Sequence, residues 1–247
     1  MQETTKVLLN WSVLRRLLID TPGAIRKHGI RFPLVATNWL YYKVLNVWHE
    51  SRFDRRFGVR TGFIVAANDL SFDDLKVQRQ AVRYRPTPPF TIIQGLKKLE
   101  RLSGMDFSKE SFVDYGCGAG RVIIIAAQSG FGNVTGLELS PPLIETCRAN
   151  IAQYASVNPT SNLTVLKKNA ALYEPPTNAT VFFFFVPFGA EVYKDVMTRI
   201  TESVAKRPRT IYIVEIGSEL RSFDFEEHGC RLIGTVEKLS ILQFPSS

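Results

Sequence analysis

Residues 112–121 read Phe-Val-Asp-Tyr-Gly-Cys-Gly-Ala-Gly-Arg, with glycines alternating at Gly116, Gly118 and Gly120. Glycine has no Cβ, so its backbone can come into contact with a ligand, and it tolerates positive φ. The run lies between an apolar, strand-like stretch and the apolar segment Val122–Ala127. A strand, a glycine-rich turn and a helix N-terminus together make a cradle for nucleotide-type ligands. Twenty residues past Gly118, the apolar stretch Val134–Leu137 ends in Glu138. A carboxylate at that distance lies at the tip of the neighbouring strand, where it can accept both hydroxyls of a ribose. These residues predict an adenosine-containing cofactor.

The letters between the glycines narrow the choice. The dinucleotide fingerprint G-x-G-x-x-G requires glycine at the sixth position from Gly116, and this chain has Arg121 there, which disfavours a nicotinamide oxidoreductase. The phosphate-gripping pattern G-x-x-x-x-G-K-[ST] is absent. Asp114 stands two residues before Gly116, where a carboxylate repels a pyrophosphate but suits an ammonium or sulfonium group. S-adenosylmethionine carries both. The stretch resembles motif I, D-x-G-x-G-x-G, of the class I S-adenosylmethionine-dependent methyltransferases at all four fixed positions, and Glu138 matches the family's ribose acid. The resemblance covers residues 84–216. It implies cofactor contacts from Asp114, Gly116, Cys117, Gly118, Gly120, Glu138 and Leu139, and from Asn169 and Ala170. The family usually has Asp-Ala where this chain has Asn169-Ala170, the acid contacting the adenine amino group. Asn169 accepts the same bond through its side-chain carbonyl.

The elements that must position these residues alternate as a doubly wound sheet requires. Strands are predicted at 111–114, 133–138, 163–168, 180–186 and 210–216, with a closing pair at 231–239 and 241–244. Helices are predicted at 90–102, 120–128, 140–154 and 190–206; the third opens on Ser140-Pro-Pro, an N-cap followed by proline in the first turn. The expected fold is α/β: a Rossmann-like, doubly wound, mostly parallel seven-stranded sheet with a C-terminal antiparallel hairpin. A helical extension precedes it. The expected division is a basic, aromatic-rich extension or lid over 1–80 and an S-adenosylmethionine-binding domain over 81–247.

The 247 residues carry a formal net charge of +8, with 22% charged and 45% hydrophobic side chains, as a globular protein does. Residues 1–60 contain eleven basic side chains against four acids, a net +7, so the basic character belongs to the extension. Within it, Val7, Leu8, Trp11, Leu14, Leu17 and Leu18 fall on one helical face, and Thr21-Pro-Gly23 breaks the chain. A second apolar segment, 32–48, is too short and polar for a membrane span. Two readings stay open: helices packed as a lid or dimer surface, or a basic amphipathic region (residues 1–50) on an anionic membrane surface or acidic partner. Basic residues interleaved with aliphatics and no recognised nucleic-acid module argue against nucleic acid. Cys117, Cys147 and Cys230 form no C-x-x-C pair and no metal-ligand spacing with the three histidines, which predicts a reducing compartment and no metal. No secretory signal is visible. The expected location is the cytoplasm, with or without peripheral membrane contact.

Upstream, Phe53-Asp-Arg-Arg-Phe-Gly-Val-Arg-Thr61 reads as a compact, turn-prone element and looks like a segment in a group of uncharacterised bacterial methyltransferases. That group also carries Tyr-x-Pro-Thr, matched by Tyr84-Arg-Pro-Thr87; the resemblance implies that Tyr84 and Thr87 cover the methionine end of the cofactor. The alternative for Tyr84 is a core aromatic.

Acceptor chemistry is expected at the end of the fourth strand, Val186-Pro187-Phe188. Methyltransferases of base or amide nitrogens place Asn or Asp before the proline there, and Val186 offers no side-chain hydrogen bond, so DNA-adenine and glutamine methylation are disfavoured. Val-Pro together with Glu138-Leu-Ser-Pro141 also looks like a small group of membrane-associated protein-lysine methyltransferases. The expected activity is methyl transfer to N or O of a small-molecule or lipid-like acceptor. A protein-lysine methyltransferase and a cofactor-binding adaptor without catalysis are the alternatives. The transfer is an in-line displacement that needs a general base only when the acceptor arrives protonated. Glu191, Glu215, Tyr84 and His49 are candidates, and the sequence assigns none. Oligomeric state is not legible.

Overall fold

The computed structural model describes residues 32–70, 72, 83–158, 162–185, 189–217 and 229–244. The helix expected over 6–18 and the acceptor segment Val186–Phe188 lie outside them. The chain divides into two compact units, 1–45 and 46–247. The described part of the first is the opening of helix α1 (Phe32–Phe57), which exposes Leu40, Tyr41 and Val44. Among the described residues, no helix is long and apolar enough to cross a membrane.

The second unit is a seven-stranded sheet flanked by helices. In chain order its elements are α2 (Pro89–Ser103), β1 (Ser111–Tyr115), α3 (Arg121–Gln128), β2 (Asn133–Glu138) and α4 (Pro141–Val157). They continue with β3 (Asn162–Lys167), β4 (Ala179–Phe184), α5 (Ala190–Lys206), β5 (Ile211–Ile216), β6 (Arg231–Val236) and β7 (Leu239–Phe244). The sheet order is β3-β2-β1-β4-β5-β7-β6, with β7 antiparallel to both β5 and β6 and all other pairs parallel. The fold class expected from the sequence is the one observed. The chain winds outward from β1 to β3 and then returns to β4. The order therefore reverses between β1 and β4, the position where open α/β sheets leave a crevice at the strands' C-terminal ends.

Burial on both faces explains the continuous apolar strands. On one face Val113, Phe182, Phe184, Ile211 and Ile213 pack with Val196, Met197 and Ile200 of α5. The other side of the β4 phenylalanine run supplies Phe183, which stacks with Phe112 at 6.2 Å. Helix α2 packs on β6, β7 and α3, and α4 packs on β3.

Three local expectations are corrected. The segment opening at Phe53 is not a separate turn-prone element: α1 continues through Phe57 and stops at Gly58, whose φ of 64° is left-handed. Arg55 and Arg56 in the last turn favour the carbonyl end of the helix dipole, which offsets the cost of the charge run. Ser140 stands at the N-cap of α4 but makes no side-chain cap; its buried Oγ has no hydrogen-bond partner. Strand β4 ends at Phe184, two residues before the predicted end.

Candidate active site at the glycine turn

All three glycines between β1 and α3 have positive φ: 78° at Gly116, 54° at Gly118 and 88° at Gly120. Only glycine adopts such a run without strain. Space is limiting as well. A Cβ on Gly118 would lie 2.2 Å from Tyr84 Cε2, and one on Gly120 would lie 2.8 Å from Cys147 Sγ. The turn uses its own donors. The N–H groups of Gly116 and Cys117 both donate to Leu137 O, at 2.9 and 2.8 Å, and Gly120 N–H donates to Cys117 O at 2.9 Å. A phosphate-binding nest would aim such groups outward; this turn offers a close approach instead. The Cys117 side chain is buried and lies 3.8 Å from Cys147 Sγ, so it faces into the protein.

Two carboxylates meet the turn in opposite states. Glu138, at the end of β2, accepts from Gly118 N–H at 3.0 Å through Oε2 and from Leu139 and Ser140 N–H at 2.8 Å each through Oε1. Burial raises its pKa, and these three donors oppose the rise. Asp114 is only 2% exposed, and its Oδ2 has no hydrogen-bond partner. Burial first, and then the neighbouring Glu138, push its carboxyl well above the usual carboxylate range. A buried, unmatched carboxylate beside the turn suits a cation, because a cation would offset both the desolvation and the repulsion. S-adenosylmethionine, with its ammonium and sulfonium, has the required chemistry.

Above the turn lies a polar network that the sequence reading did not assemble. Arg121, the first residue of α3, is 2% exposed. Its Nε donates to Thr61 Oγ1 at 2.8 Å, and its Nη1 donates to Glu50 Oε1 and to Thr87 O, both at 3.1 Å. Asp54 in turn accepts from Thr61 N–H and Gly62 N–H at 2.8 Å and from the Thr61 hydroxyl at 2.6 Å. Tyr84 rests its ring on Gly118 and donates its hydroxyl to Thr61 O at 3.0 Å; burial raises its pKa. Helix α1, the Thr61 loop and the Tyr84–Thr87 element are thus tied to the start of α3 by one guanidinium. The available signal was an arginine opening an otherwise apolar helix, Val122–Ala127, which implies a buried, paired cation.

The other predicted residues fall as follows. Lys168 N–H donates to Glu138 O at 3.2 Å, which sets Asn169 and Ala170 at the end of the strand next to Glu138. The Asn169 Oδ1 accepts from Ala171 N–H at 3.0 Å, so one of its lone pairs is occupied locally. Of the four base candidates, Glu191 is exposed at the start of α5, and His49 stacks at 5.1 Å on Phe90. Glu215 lies in the row that pairs Tyr115 with Phe184 and Phe184 with Glu215, two strands from the glycine turn. It is 9% exposed, and burial pushes its carboxyl up to about 8.

Residues 112–207 match the family model described as a methyltransferase domain. A ribosomal protein L11 methyltransferase from Shewanella baltica is 40% identical over 52 residues, which is 21% of this chain and 18% of that protein. The chain therefore matches about a fifth of the length of these curated relatives. A human methyltransferase 10 domain-containing protein superposes with a TM-score of 0.50 at 14% identity, covering 83% of this chain and 98% of that one, and so shares the fold. An RNA methyltransferase from Salinibacter ruber, solved with S-adenosyl-L-homocysteine, gives 0.47 at 20% identity, covering 66% and 95%.

Proposed function

We propose that this chain, whose residues 112–207 match a methyltransferase-domain model, uses S-adenosylmethionine as its cofactor and moves the methyl group to N or O of a small-molecule or lipid-like acceptor. The observation that carries the cofactor half of this reading is the unpartnered Asp114 Oδ2 beside the left-handed glycine turn. When bound, the cofactor supplies a methyl group on a positively charged sulfur. The chain's part is to hold and align, so that the acceptor atom lies in line with the bond that breaks.

In this reading Asp114 takes the ammonium, and Gly118 lets the methionine portion lie against the backbone under Tyr84. Thr87, fixed through its carbonyl to Arg121, closes that end. Glu138 has three of its roughly four acceptor directions filled by N–H groups. It accepts one ribose hydroxyl directly and a second by releasing Gly118 N–H. Leu139, Asn169 and Ala170 border the adenine. Val186, Pro187 and Phe188, which lie outside the described residues, are assigned to the acceptor. For an acceptor that arrives protonated, Glu215 is favoured over Glu191, Tyr84 and His49, because it combines burial with a place at the C-terminal edge of the sheet. Peripheral contact with a membrane through residues 1–50 would suit a lipid-like acceptor.

A protein acceptor is the second reading, favoured by the match to the ribosomal protein L11 methyltransferase. The test incubates the purified chain with methyl-labelled S-adenosylmethionine and a fractionated cell extract. Label in the small-molecule or lipid fraction is expected. Label confined to protein would establish the second reading, and no transfer by a sample that binds the cofactor would leave a binding adaptor.

A further inference from the structure

A groove of about 680 Å³ lies at the far end of α3 from the glycine turn, lined by α1, α2, Phe107 and the end of α3. Its volume is within the range of ligand-sized sites. The inner wall is apolar: Phe53, Phe57, Ile93, Phe107 and Ile125. The rim is basic, with Arg52 and Arg56 one turn apart on α1 and Lys97 on α2, against a single acid, Glu100. Among the described residues none of the three cations forms an ion pair. Arg52 instead lies 4.4 Å over the Trp48 ring and Arg56 lies 5.0 Å over Phe57. Their field is felt locally: the pKa of His49, also in the groove, is lowered by burial and then by Arg56 and Lys97. At the mouth, Trp48 is 43% exposed.

We propose that this groove is a binding site for an anionic phospholipid at a bilayer surface, the phosphate held by Arg52, Arg56 and Lys97 and the acyl chain laid along Phe53, Phe57 and Phe107. Charge complementarity selects the occupant. Three unpaired cations facing one acid would repel a basic or neutral polar partner, and the apolar wall beneath them would have no use for a free, hydrophilic anion. A phospholipid supplies both halves at once. An exposed tryptophan with an arginine stacked on it suits the interface, where one side of the ring is apolar and the other wet. The site depends neither on the acceptor nor on the cofactor cradle, and its cations, Arg52, Arg56 and Lys97, lie outside the segment 1–50 considered above.

The test is co-sedimentation of the full chain with vesicles of phosphatidylcholine alone or mixed with phosphatidylglycerol. Binding is expected only to the mixed vesicles and is expected to weaken with salt. Each basic residue near an anionic surface strengthens attachment about fivefold, so the pair Arg52→Glu and Arg56→Glu should weaken it at least about twenty-fivefold. Lys97→Glu should weaken it about fivefold or more, and Trp48→Ala should weaken it with the charges intact. Cofactor affinity, measured in parallel, should stay unchanged and certifies the fold. Two results would overturn the site: no preference for phosphatidylglycerol, or a preference that survives the Arg52/Arg56 pair. If that preference is instead lost in Arg15→Glu with Arg16→Glu, the membrane contact of residues 1–50 stands and the groove does not.

Discussion

The two ends of helix α3 face different tasks. At its N-terminus the polar groups are densely matched: Arg121 reaches Thr61, Glu50 and Thr87, and Glu138 holds three N–H groups. Buried atoms without a hydrogen-bond partner remain there, Asp114 Oδ2, Ser140 Oγ and Arg121 Nη2, and Asp114 is the one acid among them. At the C-terminus, Arg52, Arg56 and Lys97 rim an open groove without acidic partners. A largely matched network around one unpartnered carboxylate suits a small ligand of fixed shape. Cations left unpaired at a surface suit a partner that can deform to meet them. On the proposed roles, the same helix joins a preorganised site to an adaptable one.

The largest effect should come from removing the guanidinium that ties the first of these ends together. Arg121→Met strands the Thr87 carbonyl and leaves Glu50 and Asp54 without their cation. We expect about 3 kcal/mol of lost stability, the low end for a broken buried pair because both acids are partly exposed. Urea unfolding measures it; a loss below about 0.5 kcal/mol would mean that the network does not hold the start of α3.

Gly118→Ala comes next. Its Cβ would meet the Tyr84 ring, in a backbone conformation that costs alanine about 1–2 kcal/mol. S-adenosylmethionine affinity should fall more than about tenfold. Adding Tyr84→Ala relieves the clash and restores part of the folding stability, though not the backbone cost. Equal stability of the single and double variants would show that Tyr84 does not lie on the turn.

Glu215 sharpens the contrast away from both ends. Burial raises its carboxyl from an ordinary 4.5 to about 8, and its charge acts on the neighbouring Tyr193. The neutral form is favoured in the folded chain. Its contribution is therefore fully present below pH ~4.5 and is lost as pH rises through about 8. The stability of the parent should fall over that window by at most about 1.4 kcal/mol per pH unit from this group. Glu215→Gln should flatten the fall and be the more stable protein at alkaline pH. Thermal unfolding across pH 5–9 reads this directly, and parallel curves for the two proteins would remove Glu215 from the set of buried titratable groups. The smallest effect is expected at the open end: Lys97→Ala should change folding stability by less than about 0.5 kcal/mol.

The sequence was most legible where backbone geometry dictates residue type. Gly116, Gly118 and Gly120 are glycine because each φ is positive, and that constraint is visible in one chain. The strands could be read because both faces of the sheet are buried, which leaves continuous apolar runs such as Val181–Phe184. Long-range polar pairing was not legible. Arg121 and Glu50 lie 71 positions apart and Arg121 and Thr61 lie 60 apart, and no local pattern links them. The end of α1 was misread for a related reason: Asp54, Arg55 and Arg56 look like a solvated turn until Asp54 is seen to accept three bonds from Thr61 and Gly62. Ser140 shows the limit of a correct local signal. It occupies the N-cap, but Glu138 has already taken its N–H, and its hydroxyl caps nothing.

The central claim is that Asp114, its carboxyl pushed up by burial, takes the cation of S-adenosylmethionine. Calorimetric titration with S-adenosylmethionine in two buffers of different ionisation heat, on the parent and on Asp114→Asn, tests it most directly. The account predicts that any proton released on binding comes from Asp114, since the cation favours the ionised carboxylate. It also predicts that Asp114→Asn abolishes the release and weakens binding by about tenfold or more, the value of a lost charge-assisted contact. Binding with the same affinity and the same proton count in both proteins would contradict it.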